Sequence, residues 1–196
     1  MLADIYGDVT DYKRVKETFD KFKPEIVFHL AADPIVRSCY ETPLQAFTTN
    51  AIGTATVLEA VRETSCVKAC IMITSDKCYK NVEQLWGYKE TDRLEGIDPY
   101  SASKSCASII ISSYRDSLLQ NRNIGIAEVR AGNVVGSLDY SRDRLIPDCI
   151  RSIQSGKDIL VRNKYATRPW ELVLEVLGGY LRVGQKLLEQ PKEFST

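Results

Sequence analysis

Short apolar runs alternate with longer amphipathic segments through the first two thirds of the chain. The apolar runs cover residues 25–30, 67–74 and 124–129, and each has the length of a buried strand. Between them, residues 43–62 and 99–118 carry apolar side chains at helical spacing. Strands that alternate with helices in this way form βαβ units. The sequence therefore predicts an α/β fold with a parallel sheet flanked by helices.

The alternation fades near Gly136, which divides the chain into two predicted units, 1–136 and 137–196. Residues 76–98 are polar and irregular, and we expect a long loop of the kind that is usually functional. The second unit contains two further helical patterns and one short predicted strand, at 145–155, 170–188 and 159–161, respectively.

The composition argues against several kinds of partner and site. Lys+Arg and Asp+Glu both number 26, and a net charge of zero gives no support for a nucleic-acid or membrane partner. The six cysteines form no CxxC pair and His29 is the single histidine, so we expect no metal site and reduced thiols. No run of roughly 20 apolar residues is present, and the N-terminus has no signal-peptide pattern. We therefore expect a cytoplasmic protein.

Residues 100–104, Tyr-Ser-Ala-Ser-Lys, place a phenol and an ammonium one helical turn apart. Because positions i and i+4 share a helix face, Lys104 can approach Tyr100 and lower the pKa of the phenol toward that of a general base. Such pairs are common on solvated helix surfaces. Here, however, Ser75 follows an apolar run about 25 residues earlier, at the strand end where open α/β sheets bind ligands.

Ser75, Tyr100 and Lys104 at this spacing resemble the catalytic triad of the short-chain dehydrogenase/reductase superfamily. Four other segments resemble its extended branch: Gly-Asp-Val-Thr-Asp at 7–11, His-Leu-Ala-Ala at 29–32, Asn50 with Gly53-Thr54, and Arg-Ala-Gly-Asn-Val-Val-Gly at 130–136. The resemblance implies an incomplete Rossmann-like NAD-binding domain at 1–136 and part of a smaller sugar-nucleotide-binding domain at 137–196. It implies cofactor contacts at Asp8, Val9, Leu30, Ala31, Ala32, Asn50, Thr74, Tyr100, Lys104 and Arg130.

Three stretches, 74–79, 143–148 and 166–170, are similar to the sugar-nucleotide 4,6-dehydratases and within them to the CDP-glucose enzymes. In the dTDP-glucose and GDP-mannose enzymes the acid that corresponds to Asp76 is followed by glutamate, whereas here Lys77 follows it. The resemblance implies NAD-dependent dehydration of CDP-glucose to CDP-4-keto-6-deoxyglucose. The steps are oxidation at C4, loss of water across C5–C6 and hydride return to C6. A role in O-antigen or other polysaccharide synthesis is implied only by the family.

The resemblance implies a role for each catalytic residue. Tyr100 takes the proton from the sugar 4-hydroxyl, Lys104 holds the tyrosine as phenolate and binds the nicotinamide ribose, and Ser75 binds the 4-oxygen. Neutral Lys77 removes the C5 proton, and protonated Asp76 donates to the leaving 6-hydroxyl. Arg144 and Arg168 are candidates for binding the pyrophosphate or the nucleotide, since guanidinium matches phosphate oxygens. Asn133 is a candidate hydrogen-bonding partner of the pyrophosphate, and Arg37, after the cofactor turn, is expected to face the sugar nucleotide.

Simpler alternatives stay open for these residues. Lys77 could be a surface loop lysine, and Arg144 and Arg168 could be ordinary surface charges. Asn50 could stabilise backbone near the site without touching a ligand. His29, within an apolar run, is more often a satisfied core histidine than a catalyst, and we assign it no proton transfer.

The glycine-rich phosphate turn of this fold is missing from the sequence, so we expect a chain truncated at both ends relative to the family. Three hypotheses remain: a lyase that is active when the fold is complete, a non-catalytic relic or binding module, and a related epimerase or reductase. Asp76 and Lys77 argue against the last, because epimerases expel no hydroxyl. The family also implies a homo-oligomer, a dimer or tetramer, paired through the long helices 43–62 and 99–118.

Overall fold

The computed structural model describes residues 3–196, so Met1 and Leu2, with which the predicted first unit begins, lie outside the described residues. Within that range the strands are β1 (Ile26–His29), β2 (Ala69–Ile73), β3 (Gly125–Val129), β4 (Asn133–Val135) and β5 (Trp170–Leu172). The α-helices are α1 (Tyr12–Phe22), α2 (Val36–Glu41), α3 (Pro43–Phe47), α4 (Gly53–Arg62), α5 (Pro99–Ser113), α6 (Leu145–Gln154) and α7 (Val173–Glu189). A π turn joins α3 to α4 and another extends α5, which confirms both long predicted helices.

The main sheet has the order β1-β2-β3, and all of its strands are parallel. Ile26 pairs with Ala69, and Ala69 pairs in turn with Gly125, so the three strands run in register from one edge to the other. The predicted parallel α/β sheet is confirmed. Because the strands are parallel, the loops that follow His29, Ile73 and Val129 all leave from the same end of the sheet, the edge formed by the carboxyl ends of the strands.

Helices cover both faces of this sheet, which explains why β2 is apolar along its whole length. On one face α1, α4 and α5 pack on Cys70 and Met72 of β2, forming a core with buried Leu58 and Ile111. On the other face α7 packs on β2 and β3, where Leu187 contacts a cluster that includes Ile71. Helix α7 falls within the predicted second unit, yet its packing partner is the main sheet.

One prediction for the second unit is wrong, and the start of one predicted helix is shifted. Residues 159–161 are irregular rather than a strand; Leu160 is exposed and lies along a cavity instead of beside a strand partner. The helix expected over 170–188 begins only at Val173, because Trp170–Leu172 forms β5, which pairs in parallel with β4. The helix predicted near 145–155 is confirmed as α6.

The loop at 76–98 returns closely against the first turn of α5. Asp98 caps this helix by accepting from the Ser101 N–H at 3.0 Å, with Pro99 at its first position. A Cβ atom on Gly96 would lie 2.2 Å from the Ser101 carbonyl carbon, whereas a Cβ on Gly87 meets nothing within 4 Å. Only a residue without a side chain allows the loop to pass so near the helix backbone.

We expect Gly96→Ala to lower the free energy of unfolding by about 1–3 kcal/mol or more, since backbone cannot yield as a flexible side chain can. Gly87→Ala, in the same loop, is the matched control and should change stability by no more than about 0.5 kcal/mol. Urea unfolding followed by circular dichroism measures both. Equal stabilities for the two variants would show that the approach to α5 is not tight.

None of the helices described within residues 3–196 is long and apolar enough to cross a membrane.

Candidate active site

A cavity of about 510 Å³ opens at the edge of the sheet where β2 ends. Its walls come from the loops after β1, β2 and β3, from α5 and α6, and from the irregular segment before β5. Nine of the residues singled out in the sequence line it: Arg37, Thr74, Ser75, Asp76, Lys77, Tyr100, Asn133, Arg144 and Arg168. The predicted catalytic and substrate-binding residues, Lys104 apart, therefore share one cavity although they are spread over more than half of the chain.

A tight turn directly after β2 brings three consecutive side chains to the cavity. Ser75 is extended and caps a single 3-10 turn, Asp76–Cys78, by accepting from the Lys77 N–H at 3.3 Å. The Asp76 N–H donates to the Ala131 carbonyl at 3.2 Å, which holds the turn against the segment after β3. In a continuing strand, Asp76 and Lys77 would point to opposite faces. The turn is why both of them line the same cavity.

Tyr100, in the first turn of α5, is buried and faces Ser75. Burial raises the pKa of Tyr100, and Asp76 raises it further, while the Ser75 hydroxyl and Arg144 lower it. The Ser75 hydroxyl itself donates to Asp76 at 3.2 Å. In this state the phenol is a weaker acid than a free tyrosine, so it needs added positive charge before it can work as a base.

Lys104 lies beneath the cavity rather than in its wall, which differs from the sequence-based expectation. Its ammonium donates to the Ile73 carbonyl at 3.2 Å, at the end of β2. Burial lowers the pKa of Lys104 itself to about 8. Among residues 3–196 it donates to no other group, so two of its three N–H bonds are available to a ligand.

Arginines from three segments gather at the mouth of the cavity. Arg37 and Arg162 both pair with Asp143, at 2.6 and 3.0 Å, and Arg144 pairs with Asp139 at 3.2 Å. Arg168 donates to the neighbouring Thr167 carbonyl and has no carboxylate partner among the described residues. Sequence reasoning missed Arg162, which directly follows the irregular residues 159–161 that were predicted to form a strand. The cluster offers cationic groups to an anionic ligand.

Asn133 contributes a polar atom that lacks a partner. Its Oδ1 is buried and accepts no hydrogen bond from any described residue, although the side chain lines the cavity. A buried acceptor without a donor is costly, and a ligand N–H or O–H would satisfy it.

The family model described as GDP-mannose 4,6 dehydratase matches residues 2–195. The chain belongs to this family. A CDP-glucose 4,6-dehydratase from Salmonella typhimurium is 46% identical over 194 residues, covering 96% of this chain and 54% of the relative. A capsular polysaccharide biosynthesis protein, CapD, from Staphylococcus aureus is 29% identical over 180 residues, covering 92% and 26%. The chain thus spans about half the length of the first relative and a quarter of the second.

Solved structures share the fold of this member of the GDP-mannose 4,6-dehydratase family. A dTDP-glucose 4,6-dehydratase from Streptomyces venezuelae, a double mutant with NAD and DAU bound, matches with a TM-score of 0.80 at 20% identity, over 91% of this chain and 53% of that one. A UDP-glucose 4-epimerase from Thermus thermophilus in complex with NAD matches with a TM-score of 0.79 at 23% identity, over 91% and 58%. The Rossmann-like fold class is therefore confirmed.

Two side chains for which the resemblance implies a cofactor contact, those of Arg130 and Asn50, are bound to protein groups instead. Arg130 turns away from the cavity: its guanidinium pairs with Glu128 at 2.8 Å and donates to the Tyr79 hydroxyl at 2.7 Å. Asn50 is fully engaged with protein, because its amide binds the Asp33 backbone N–H and carbonyl at 2.8 and 3.1 Å and the Ser103 hydroxyl at 2.9 Å. Asn50 therefore holds the loop after β1 against α5, which agrees with the simpler interpretation that it stabilises backbone near the site without touching a ligand.

Most of the remaining implied contacts are accessible to a ligand: Asp8, Leu30 and Ala31 are exposed and Ala32 is half-buried. Asp8 is exposed, and its Oδ1 accepts from the backbone and hydroxyl of Thr10, both at 2.8 Å, which lowers its pKa. Leu30 is half exposed directly after β1, and Ala31 and Ala32 follow it with side chains too small to block access there. The side chain of Val9 instead packs on the core that α4 shares.

His29 is a core histidine, as the sequence suggested. It is 5% exposed and its Nε2 lies 3.2 Å from the Thr54 hydroxyl. Burial, together with the Lys104 charge, lowers its pKa to about 4. Between pH 6.5 and 4, His29 is therefore mostly protonated in the unfolded chain and mostly neutral in the folded chain. The free energy of unfolding falls as the pH falls through this window.

His29→Gln should remove this acid sensitivity. In the unmodified protein, we expect the free energy of unfolding to fall by about 2 kcal/mol between pH 7 and pH 5 on account of His29. This follows because the pKa of His29 is about 4 in the folded chain and 6.5 in the unfolded chain. Urea unfolding at both pH values, before and after the substitution, isolates this contribution from those of the carboxylates. An unchanged pH dependence in the variant would mean that His29 titrates normally in the folded state.

Proposed function

We propose that the protein to which this chain belongs is an NAD-dependent CDP-glucose 4,6-dehydratase, which converts CDP-glucose to CDP-4-keto-6-deoxyglucose. The observation that carries the proposal is the single cavity lined by Ser75, Asp76, Lys77 and Tyr100. These side chains supply a hydroxyl, an acid, an amine and a phenol, the groups that an oxidation followed by loss of water requires. The 46% identity to the S. typhimurium CDP-glucose 4,6-dehydratase supports this choice of substrate.

NAD, when bound, supplies a positively charged hydride acceptor that is regenerated within each turnover. The residues that would hold it are Asp8, the Leu30–Ala32 segment, Thr74, Tyr100 and Lys104. Their chemistry fits: an exposed carboxylate can accept from the amino group of adenine, small side chains leave space after β1, and Lys104 has two N–H bonds free of described partners. Residues 1–136 form the cofactor-binding unit in this proposal.

In the first half of the reaction, Tyr100 removes the proton from the sugar 4-hydroxyl while Ser75 binds the same oxygen. The raised pKa of Tyr100 must fall for this step. Arg144 and Ser75 already lower that pKa, and the charges of bound NAD and Lys104 act in the same direction. Lys104 also binds the ribose through its free N–H bonds.

In the second half, Lys77 and Asp76 act on neighbouring carbons of the sugar. Lys77 in its neutral form removes the C5 proton, which the 4-keto group has made acidic. Asp76 in its protonated form donates to the 6-hydroxyl, which leaves as water. The 3-10 turn after β2 supports this division of work, because it aims an acid and an amine from adjacent positions into one cavity.

The sugar nucleotide is held mainly by charge. Arg37, Arg144, Arg162 and Arg168 supply guanidinium groups for the diphosphate and cytidine, exchanging their present carboxylate and carbonyl partners for the ligand. Asn133 accepts from a ligand hydroxyl. In this proposal residues 137–196 contribute the sugar-nucleotide-binding part.

CDP-glucose carrying deuterium at C4 tests the proposed reaction. The full polypeptide that contains this chain is incubated with NAD and the labelled substrate, and the product is analysed by mass spectrometry and NMR. We expect loss of one water and recovery of the label at C6. A product that keeps all its oxygens would reject a dehydratase and favour an epimerase; no product from any sugar nucleotide would favour a non-catalytic binding protein.

We further propose that the protein is a cytoplasmic homo-oligomer whose product enters surface-polysaccharide synthesis. The likeness to the capsular polysaccharide biosynthesis protein of S. aureus supports that use. Ile52, in the π turn before α4, and Ile109 of α5 are both more than half exposed on the two long helices, and support a paired surface there. Light scattering of the purified protein gives the oligomeric state.

A further inference from the structure

A carboxylate is buried behind the candidate active site, on the apolar strand β3. The Glu128 side chain is 5% exposed and pairs with Arg130 through two contacts of 2.8 Å, to Nε and Nη2. Its Oε1 also accepts from the Ser108 hydroxyl at 2.5 Å and from the Thr74 hydroxyl. A charge taken out of water at this depth is tolerated only with such compensation. None of the roles assigned so far uses it.

The partners of Glu128 surround the two backbone positions that hold Lys104. Ser108, one turn along α5, lies within hydrogen-bond distance of the Lys104 carbonyl at 3.1 Å. Thr74 directly follows Ile73, whose carbonyl accepts from the Lys104 ammonium at 3.2 Å. Glu128 therefore bridges α5 and the end of β2 at the level of Lys104, and closes a ring of contacts around it.

We propose that Glu128 is a positioning residue for Lys104: it fixes the helix turn and strand end between which the ammonium lies, and it is the buried counter-charge to that ammonium. The inference rests on the proposed function in assigning Lys104 a part in catalysis. In this role Glu128 touches neither substrate nor cofactor.

The electrostatic surroundings of Lys104 agree with this geometry. Burial lowers the pKa of Lys104 to about 8, and Glu128 and Cys78 act against that decrease. The other titratable or charged groups on the packed elements are His29 of β1, kept neutral at pH 7 by its lowered pKa, Tyr100 of α5, and Arg130 after β3. The pKa of the Cys78 thiol is raised to about 11, so at neutral pH Glu128 supplies the negative charge.

The decisive variant is Glu128→Gln, which keeps the shape and removes the charge. We expect the pKa of Lys104 to fall by about one unit or more, the size of a nearby opposite charge. The protein is labelled with ¹³C and ¹⁵N in its lysine side chains and titrated by NMR, and Lys104→Met identifies the resonance. Glu95→Gln is the matched control, because Glu95 pairs with Lys80 and Arg93 outside this ring.

Further variants keep the test decisive. Glu128→Asp retains the charge and should leave the pKa of Lys104 within about half a unit of its original value, well inside the effect of losing the charge. Glu128→Gln combined with Arg130→Met removes both members of the ion pair, so an unpaired Arg130 cannot cause the shift or the loss of fold. A pKa of Lys104 that is the same in the original protein, in Glu128→Gln and in the double variant would overturn the inference.

An activity measurement then separates this inference from the proposed function. For dehydration of CDP-glucose, the pH profile of kcat should move in Glu128→Gln with KM little changed, and Glu128→Asp should restore it. If the protein is an active dehydratase but the pKa of Lys104 is unchanged in Glu128→Gln, the positioning role is rejected and the proposed function stands. If the pKa of Lys104 falls in Glu128→Gln but the protein has no dehydratase activity, the proposed function is rejected and the positioning role stands.

Discussion

Replacing Tyr100 with phenylalanine is expected to reduce kcat for the dehydration of CDP-glucose by about 10²–10⁴-fold, the usual contribution of a positioned acid–base group. The substitution removes the phenol oxygen that faces Ser75 and leaves the ring buried in the first turn of α5. Burial of that oxygen raises its pKa, so the original protein should gain activity as the pH rises toward the pKa of the phenol. The variant should lose this dependence along with its rate.

The control for Tyr100 is another tyrosine of the same chain. Tyr40 of α2 is 62% exposed and has no side-chain hydrogen bond among the described residues, so Tyr40→Phe should leave kcat unchanged. Steady-state kinetics of both variants, with CDP-glucose binding measured by calorimetry, separates chemistry from affinity. Full activity in Tyr100→Phe would remove the phenol from the mechanism.

Replacing Lys77 with methionine should stop the reaction at a later point. The expected loss of water elimination is again about 10²–10⁴-fold, because the base for the C5 proton is gone while the length of the side chain is kept. CDP-glucose should still bind, since the arginines at the cavity mouth are unchanged. Exchange of the C5 proton with deuterated water, followed by NMR, should disappear together with product.

Lys89 provides the matched comparison, because it is an exposed lysine of the 76–98 loop that does not line the cavity. Lys89→Met should eliminate water at the original rate. If Lys77→Met behaves like Lys89→Met, Lys77 is a surface lysine, and the elimination needs another base.

The sequence predicts the sheet well, because its information is local. Residues 69–73 are apolar without interruption, as a strand covered on both faces must be, and their β pairing on each side follows from the helices between strands. The segment at 159–161 is equally apolar but has no strand beside it to pair with. Apolarity alone does not distinguish a strand from a cavity wall.

The candidate site was predictable as a set of residues but not in its polar connections. Ser75, Lys77 and Tyr100 line one cavity as expected, since the carboxyl end of β2 and the start of α5 meet there. The i, i+4 spacing suggested that Lys104 would act directly on Tyr100. Its ammonium also donates to the Ile73 carbonyl, a backbone acceptor that no side-chain pattern reveals.

Arg130 shows the same difficulty with a charged partner. Sequence position suggested a cofactor contact, but the guanidinium satisfies Glu128 two residues earlier on the same face of the strand. A carboxylate inside an otherwise apolar run was the available signal, because a buried acid requires a partner.

The 3-10 turn after β2 is held by contacts that do not involve the side chain at position 77, so that side chain can be exchanged. The Ser75 cap and the Ala131 contact shape the turn through the backbone of residues 76 and 77, and neither depends on which side chain residue 77 carries. An amine and a carboxylate can therefore be traded at this site without disturbing the fold. Under the proposed role of Lys77 as the base, the single substitution Lys77→Glu would exchange an amine for a carboxylate at the cavity while the turn is kept.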